Sequence, residues 1–152
     1  MDVNNIDERI LWEDIRGEAV DTILGLVECW SLTRYKIRFA RHCFHRCKQR
    51  FVKKSEVYDT IANGRIIEFH VKRGSSRVLL RKQCSNRLED ICVVLDIVRG
   101  VVITVYINAS SDHHDTLREE LYNKELDVHT IIEKCIALDN YNFYKLIFDF
   151  QK

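Results

Sequence analysis

The chain contains no proline and no low-complexity segment among its 152 residues. A linker between domains usually has a Pro-, Gly- or Ser-rich composition, and no such stretch is present. No internal repeat is visible either. The sequence therefore predicts one domain, which at this length is large enough to bury a hydrophobic core.

Long apolar runs are also absent. No stretch approaches the roughly 20 consecutive apolar residues that cross a bilayer as a helix. Residues 1–5 lack the basic region and the following apolar stretch of a secretory signal. We therefore expect no membrane partner and a cytoplasmic site of action, although a toxin domain cut from a larger exported protein would show the same pattern.

The cysteines lack the spacing of a metal or redox motif. None lies in a Cys-x-x-Cys pair, and a chain of this size does not need disulfides to fold. We expect reduced and mostly buried thiols that act as small apolar side chains. The six residues are Cys29, Cys43, Cys47, Cys84, Cys92 and Cys135.

Charge is distributed unevenly along the chain. Residues 34–87 hold 16 Lys and Arg against 3 Asp and Glu, whereas residues 1–33 and 88–152 each carry a net charge of −6. A basic block of this kind is typical of a surface that binds a polyanion such as nucleic acid. The alternative is a solvated face whose charges pair with the acidic flanks.

Hydrophobic periodicity predicts an α+β fold. Apolar residues recur every three or four positions from Trp12 to Trp30, which indicates a helix. Short turns between the central strands, such as Arg99-Gly100, favour a small antiparallel sheet of four to five strands with N-terminal helices on one face. After that first helix, strands are predicted over 35–39, 65–71, 77–83, 90–98, 101–107 and 141–150, and helices over 40–51, 56–62, 115–123 and 128–138.

The densest group of reactive and charged residues lies in the predicted helix over 40–51. His42, Arg46 and Arg50 are four residues apart and project from one face, and Arg41 and Lys48 add charge. A histidine near neutral pKa can transfer a proton while arginines hold a phosphate, as metal-free RNA cleavage through the ribose 2′-OH requires. A basic helix that only binds a phosphate backbone would show the same spacing.

Metal and thiol chemistry are disfavoured. Two His and two Cys on this helix do not share one face, and no matched second pair of ligands follows. No oxyanion motif accompanies a cysteine nucleophile. The pair His113-His114 indicates a helix N-terminus capped by Asp112, and nothing around His70 or His129 indicates a role. We expect neither a metal nor a cofactor.

The last predicted core strand carries a second group of polar residues. A Thr–Tyr pair on one face of a strand can bind phosphate, and a tyrosine ring can stack on a base. Thr and Tyr are also ordinary strand residues, so the pattern alone does not separate a site from a sheet. Alternation places Val102, Thr104, Tyr106 and Asn108 on one face, with charge from Arg81 and Lys82 on an earlier strand.

Together these segments resemble an uncharacterised bacterial domain family placed by fold with the barnase–EndoU–colicin–RelE group of ribonucleases. Many of that group are toxins of toxin–antitoxin and contact-dependent inhibition systems. The resemblance covers residues 35–108. It rests on His42, Arg46, Arg50 and Val52; on Asn63-Gly64; on Ile66-Ile67; and on Ile103-Thr104-Val105-Tyr106.

The resemblance implies a metal-independent ribonuclease, with its active site on the sheet face, that cleaves tRNA or other cellular RNA to a 2′,3′-cyclic phosphate. His42 would be the acid or base, Arg46 would hold the phosphate, and Thr104 and Tyr106 would assist from the strand. It also implies a cognate antitoxin or immunity protein. The chain departs from the family at Cys43 and Cys47, where a small residue and a methionine are usual.

The resemblance leaves two terminal segments without a counterpart. The predicted ribonuclease-like core, residues 34–108, is flanked by helical additions at 1–33 and 109–152. Two other functions fit the same sequence. One is a non-catalytic nucleic-acid-binding module, and the other is an interaction domain whose basic surface docks on an acidic protein.

Overall fold

The computed structural model describes residues 2–84, 87–112 and 119–139. Within them, helices pack against a mostly antiparallel sheet, which confirms the predicted α+β class. The helices are α1 (Glu18–Leu32), α2 (Arg41–Gln49), α3 (Lys54–Asn63) and α4 (Val128–Leu138). The strands are β1 (Asp7–Leu11), β2 (Arg38–Phe39), β3 (Arg65–Lys72), β4 (Ser75–Gln83), β5 (Glu89–Asp96) and β6 (Val101–Ala109).

The described strands form one sheet in the order β1-β3-β4-β5-β6-β2. Its centre, β3 to β6, is the predicted antiparallel meander. Strand β1 extends the sheet antiparallel to β3, and the two-residue strand β2 runs parallel to β6 at the other edge. The described part of the chain therefore contributes six strands, where four to five were predicted.

The N-terminal segment differs from the helical addition predicted for residues 1–33. Residues 7–11 form an edge strand, Trp12–Asp14 a 3₁₀ helix, and α1 begins only at Glu18. Strand β1 has one buried side chain, Ile10, so it shows no alternating pattern by itself. Its main chain pairs with β3, and this pairing between residues about sixty positions apart is supplied only by the tertiary structure.

Two more predicted elements change in extent, and others lie beyond the described residues. The strand predicted over 35–39 is reduced to Arg38–Phe39, because Arg34–Lys36 forms a 3₁₀ helix. Helix α4 matches the prediction over 128–138. Of the helix predicted over 115–123, Glu119–Leu121 is a 3₁₀ helix, and residues 113–118 lie outside the described part, as does the strand predicted over 141–150.

The four described α-helices contribute to a core on one face of the sheet. Helix α1 packs on α3 and α4, α3 packs on β4 and β5, and α2 packs on β6. Side chains such as Phe69, Val78, Val93 and Val105 are fully buried beneath them. Because strand side chains alternate between faces, the residues between these apolar positions point to the opposite, open face.

The predicted turn between β5 and β6 is tied to α1 through Trp30. The indole Nε1 donates a hydrogen bond of 2.7 Å to the carbonyl of Ile97. Gly100 in the turn has φ +68°, and a Cβ there would lie 2.2–2.5 Å from atoms of the Trp30 ring. A glycine is therefore required both by the backbone conformation and by the close approach of the indole.

The cysteines behave as the composition predicts. Cys29, Cys43, Cys92 and Cys135 are buried, and all six thiols are free. Burial raises the pKa of Cys43 to about 12 and that of Cys92 to about 11, so both stay protonated at neutral pH. In the described part of the chain, no helix is both long enough and apolar enough to cross a membrane.

Candidate functional site

A β-bulge in β6 decides which of its side chains share a face. Val94 pairs with Thr104 and Leu95 with Val102, so Ile103 is an extra residue in the strand. Val102 and Val105 are consequently both fully buried in the core. The predicted grouping of Val102 with Thr104 is therefore wrong.

Thr104 and Tyr106 line a cavity of about 460 Å³ on the open face of the sheet. Its lining comes from five successive strands of the sheet, β1, β3, β4, β5 and β6, with Val94 as the contribution of β5. Cations outnumber carboxylates among its side chains, which suits a phosphate-bearing ligand. The polar lining residues are Arg9, Glu68, His70, Lys72, Arg77, Thr104, Tyr106, Asn108 and Asp112.

His70 is held by a carboxylate from the neighbouring strand. The pairing of β1 with β3 brings Asp7 within reach, and Asp7 Oδ1 lies 2.6 Å from His70 Nε2. Burial lowers the pKa of His70 and outweighs the opposing effect of this hydrogen bond. The ring is therefore neutral at pH 7, and because Nε2–H donates to Asp7, Nδ1 is the basic nitrogen.

Glu68, which also lines the cavity, forms hydrogen bonds with two neighbouring side chains. Its carboxylate is buried and accepts from Arg9 Nη1 at 3.1 Å and from the Tyr122 hydroxyl at 2.9 Å. Burial raises the pKa of Tyr106, with Cys92 and Glu68 adding to the effect. The Tyr106 hydroxyl therefore keeps its proton at neutral pH and is a hydrogen-bond donor.

Arg77 supplies a fixed positive charge to the cavity. Its Nε donates to Ser75 Oγ at 3.1 Å, and that hydroxyl donates to the buried carboxylate of Asp96 at 2.8 Å. Burial lowers the pKa of Arg77, but a guanidinium remains charged at neutral pH. Lys72 follows His70 on the same face of β3 and adds a second cation.

The structure places His42 and Arg46 outside this cavity. Both are exposed on α2, whose buried side is marked by Cys43. Helix α2 packs against β6, so the pair lies near the strand that carries Thr104 and Tyr106. No α2 side chain is among the described residues that line the cavity. The predicted catalytic set is thus divided between two surfaces.

The remaining predicted RNA-binding residues fall into two groups. Arg41 and Lys48 are exposed on α2, and Arg50 directly follows that helix and is half-buried. Lys82 pairs with Asp59 of α3 at 2.7 Å. His113 and His114 lie outside the described residues.

Arg81, by contrast, is buried and forms an ion pair with Asp90. Its Nε lies 2.6 Å from Asp90 Oδ2, and both side chains are 4% exposed. Its Nη2 donates to the carbonyls of Ala109 and Asp112, which attaches the end of β6 to the sheet. Arg81 therefore has no part in the RNA-binding surface proposed below.

The residues that sequence reasoning missed are those of the strand pair β1–β3. Alternation along β3 would have placed Glu68 and His70 opposite the buried Phe69, but it gives no reason to select His70. Asp7 and Arg9 carry no sequence signal, because the strand that holds them is not visible in the sequence. Among the described residues, no three His, Cys, Asp or Glu side chains are grouped so that they could hold a metal ion.

One family model matches part of the chain. Residues 39–107 match the family described as "Domain of unknown function (DUF4258)". The DUF4258-like segment runs from β2 to β6, so it contains His42, His70, Thr104 and Tyr106, but not strand β1 with Asp7. No curated protein and no solved structure matches the chain.

Proposed function

We propose that the protein is a metal-independent endoribonuclease whose active site is the open-face cavity. The observation that carries this proposal is that Thr104 and Tyr106 line one cavity with Arg77 and with His70, whose ring is held by the carboxylate of Asp7. Proton acceptor, proton donor and phosphate-binding cation are the groups that cleavage through the 2′-OH needs. The cavity requires no metal for this chemistry.

Each group has a defined task in the proposed reaction. His70 Nδ1 takes the proton of the ribose 2′-OH, and the 2′-oxygen forms a bond to phosphorus. Arg77 and Lys72 stabilise the negative charge on the phosphorane. The bond from phosphorus to the 5′-oxygen then breaks, and Tyr106 donates its proton to that oxygen, because an alkoxide is a stronger base than a phenolate. The products are a 2′,3′-cyclic phosphate and a 5′-hydroxyl.

The substrate class follows from the same chemistry together with the sequence resemblance. The attacking 2′-OH restricts the reaction to RNA. A toxin that acts on tRNA or other cellular RNA, and that is neutralised by a cognate antitoxin or immunity protein, is the biological role that we propose. A module that binds RNA without cleaving it would use the same cations, and the experiment below separates the two.

Incubation of the purified protein with total RNA in EDTA tests the reaction. We expect cleavage that EDTA does not diminish, with 2′,3′-cyclic phosphate ends detected by resistance to ligation and by mass spectrometry. A 2′-O-methyl oligonucleotide of the same sequence is the control and should remain intact. A mobility shift without cleavage would identify a binding module, and 3′-hydroxyl ends would contradict the proposed mechanism.

The pH dependence should identify His70 as the base. Because a base must be deprotonated, kcat/KM should rise with pH through a limb below 6.5, the ordinary pKa of histidine. Asp7→Asn removes a charge that raises the pKa of His70, so it should shift this limb to still lower pH and reduce kcat by loosening the ring. The measurement is kcat/KM on a fluorogenic RNA at pH values on either side of 6.5.

The matched control for Asp7→Asn is Glu8→Gln. Glu8 is the next carboxylate of β1 and alternates to the other face of the strand. Its replacement removes the same charge without touching His70, so the limb should stay in place. A limb that moves equally in both variants would show a general charge effect and would contradict the role of Asp7.

A further inference from the structure

The turn after α2 displays an aromatic ring in an unusual way. Phe51 is 83% exposed and has φ 56°. Residues with a Cβ rarely adopt such a positive φ, and bulky side chains least of all. The position is not part of the cavity on the open face.

The hydrogen bonds at the end of α2 explain the positive φ of Phe51, but they do not explain why the residue is phenylalanine. Phe51 N–H donates to the carbonyl of Lys48 at 3.3 Å, and Val52 N–H donates to that of Cys47 at 2.9 Å. This pair of bonds is the Schellman arrangement, in which glycine usually occupies the left-handed position. Val52 is buried, whereas the Phe51 ring adds almost nothing to the core. Neither folding nor packing therefore accounts for phenylalanine here.

The turn is held by contacts from two other segments. The Arg87 guanidinium donates to the carbonyls of Arg50 and Phe51 and lies 3.2 Å from Glu56 Oε1. The same Glu56 oxygen accepts from the backbone N–H of Lys53 at 3.0 Å. The ring is thus presented on a backbone fixed on both sides, which lowers the entropy cost of binding a ligand.

The segment that carries the ring is strongly basic. Residues 41–54 contain six Lys and Arg and no Asp or Glu. Within the described part of the chain, no ion pair is formed by Arg46, Lys48 or Arg50. An exposed aromatic ring among free cations is the arrangement by which proteins bind single-stranded nucleic acid, with a base on the ring and phosphates on the cations.

We infer that Phe51, with Lys48 and Arg50, forms a stacking platform for single-stranded RNA that lies outside the catalytic cavity. This inference rests on the proposed function only in taking RNA as the ligand. One unpaired base stacks on the ring, and the adjacent phosphates contact the cations. The platform captures substrate and takes no part in the chemical step, so it acts on KM and not on kcat.

Substitution of Phe51 distinguishes an effect on RNA binding from an effect on stability. Phe51→Gly places the favoured residue in the left-handed position and should raise the melting temperature. The same variant should weaken binding of a 2′-O-methyl single-stranded RNA by about tenfold or more, measured by fluorescence anisotropy. Phe51→Leu keeps an apolar side chain but loses the aromatic face, so it should weaken RNA binding to a similar extent. Phe51→Trp keeps an aromatic face and should bind RNA with wild-type affinity.

Inorganic polyphosphate is the matched ligand without bases. It should bind wild type and Phe51→Gly with equal affinity, because only the cations contact it. The double substitution Lys48→Ala with Arg50→Ala should weaken the binding of both polyphosphate and RNA. If wild type and Phe51→Gly bound RNA with equal affinity, the proposal of a stacking platform would be wrong. The surface would then be assigned to another partner, such as a protein inhibitor. Because the 2′-O-methyl RNA cannot be cleaved, this binding test is independent of the cleavage test. Phe51→Gly can bind the RNA more weakly even if the wild-type protein proves unable to cleave RNA. It can also bind as well as wild type even if the wild-type protein does cleave.

Discussion

His70→Ala is expected to lower the rate of RNA cleavage by about 10²- to 10⁴-fold, the usual contribution of a general base, while the protein remains folded. The ring lines the cavity beside Arg77 and Tyr106, and Asp7 holds its Nε2 at 2.6 Å. No other described histidine lines this cavity. The rate should be measured under single-turnover conditions with saturating enzyme, and folding by circular dichroism.

His42→Ala is the informative comparison, because the sequence resemblance makes His42 the catalytic acid or base. In the structure this residue is exposed on α2 and does not line the cavity. We expect the single-turnover rate of His42→Ala to stay within a few-fold of wild type, with any loss confined to KM. If His42→Ala were inactive and His70→Ala active, the reaction would take place on the α2 surface and the cavity assignment would be wrong.

Arg81→Ala is expected to destabilise the protein by about 3–5 kcal/mol, the usual effect of breaking a buried ion pair. Asp90 would be left buried without its cation, and the carbonyls of Ala109 and Asp112 would lose their donor. Hydrogen bonds from Arg81 and Ser110 keep the pKa of Asp90 below 3.8, although burial alone would raise it. The free energy of unfolding should be measured in urea.

Lys82→Ala is the matched control for Arg81→Ala. The two residues are adjacent and have the same predicted role, but the Lys82 side chain is 30% exposed and its pair with Asp59 is near the surface. We expect Lys82→Ala to change the free energy of unfolding by less than about 1 kcal/mol. A stable Arg81→Ala variant with weakened RNA binding would instead return Arg81 to the RNA-binding surface.

The pH dependence of stability follows from the lowered pKa of Asp90. A carboxyl whose pKa is lower in the folded state than in the unfolded chain stabilises the fold above its unfolded value, and that contribution is lost as pH falls below it. For Asp90 the loss should begin near its ordinary pKa of 3.8. The contribution should be much smaller in Arg81→Ala, because the guanidinium that lowers the pKa of Asp90 is then gone and the hydrogen bond from Ser110 remains against the effect of burial.

The central meander and the helices α2 and α4 could be predicted because their signals are local. Strands β3 to β6 follow one another with short turns, and each contains enough β-branched or alternating residues to be recognised. The bulge at Ile103 has no such signal, because it depends on how β6 aligns with β5. That single extra residue moves Val102 into the core and leaves Thr104 and Tyr106 on the open face.

The candidate site could be predicted only in part for the same reason. The resemblance predicts Thr104 and Tyr106 as site residues, and both line the same cavity. Nothing in the sequence indicates a role for His70, because its partner Asp7 is 63 positions away. The carboxylate that holds the ring belongs to a strand whose existence depends on pairing with β3.

Hydrophobic periodicity and the order of charges along the chain by themselves determined the α+β class and the basic middle segment. Only the tertiary structure decided what each basic residue of that segment does. Arg46 and Arg81 are equivalent as sequence letters, yet Arg46 faces solvent on α2 and Arg81 is sealed against Asp90. Charge is a property of the residue, whereas its availability to a ligand depends on the groups that folding brings beside it.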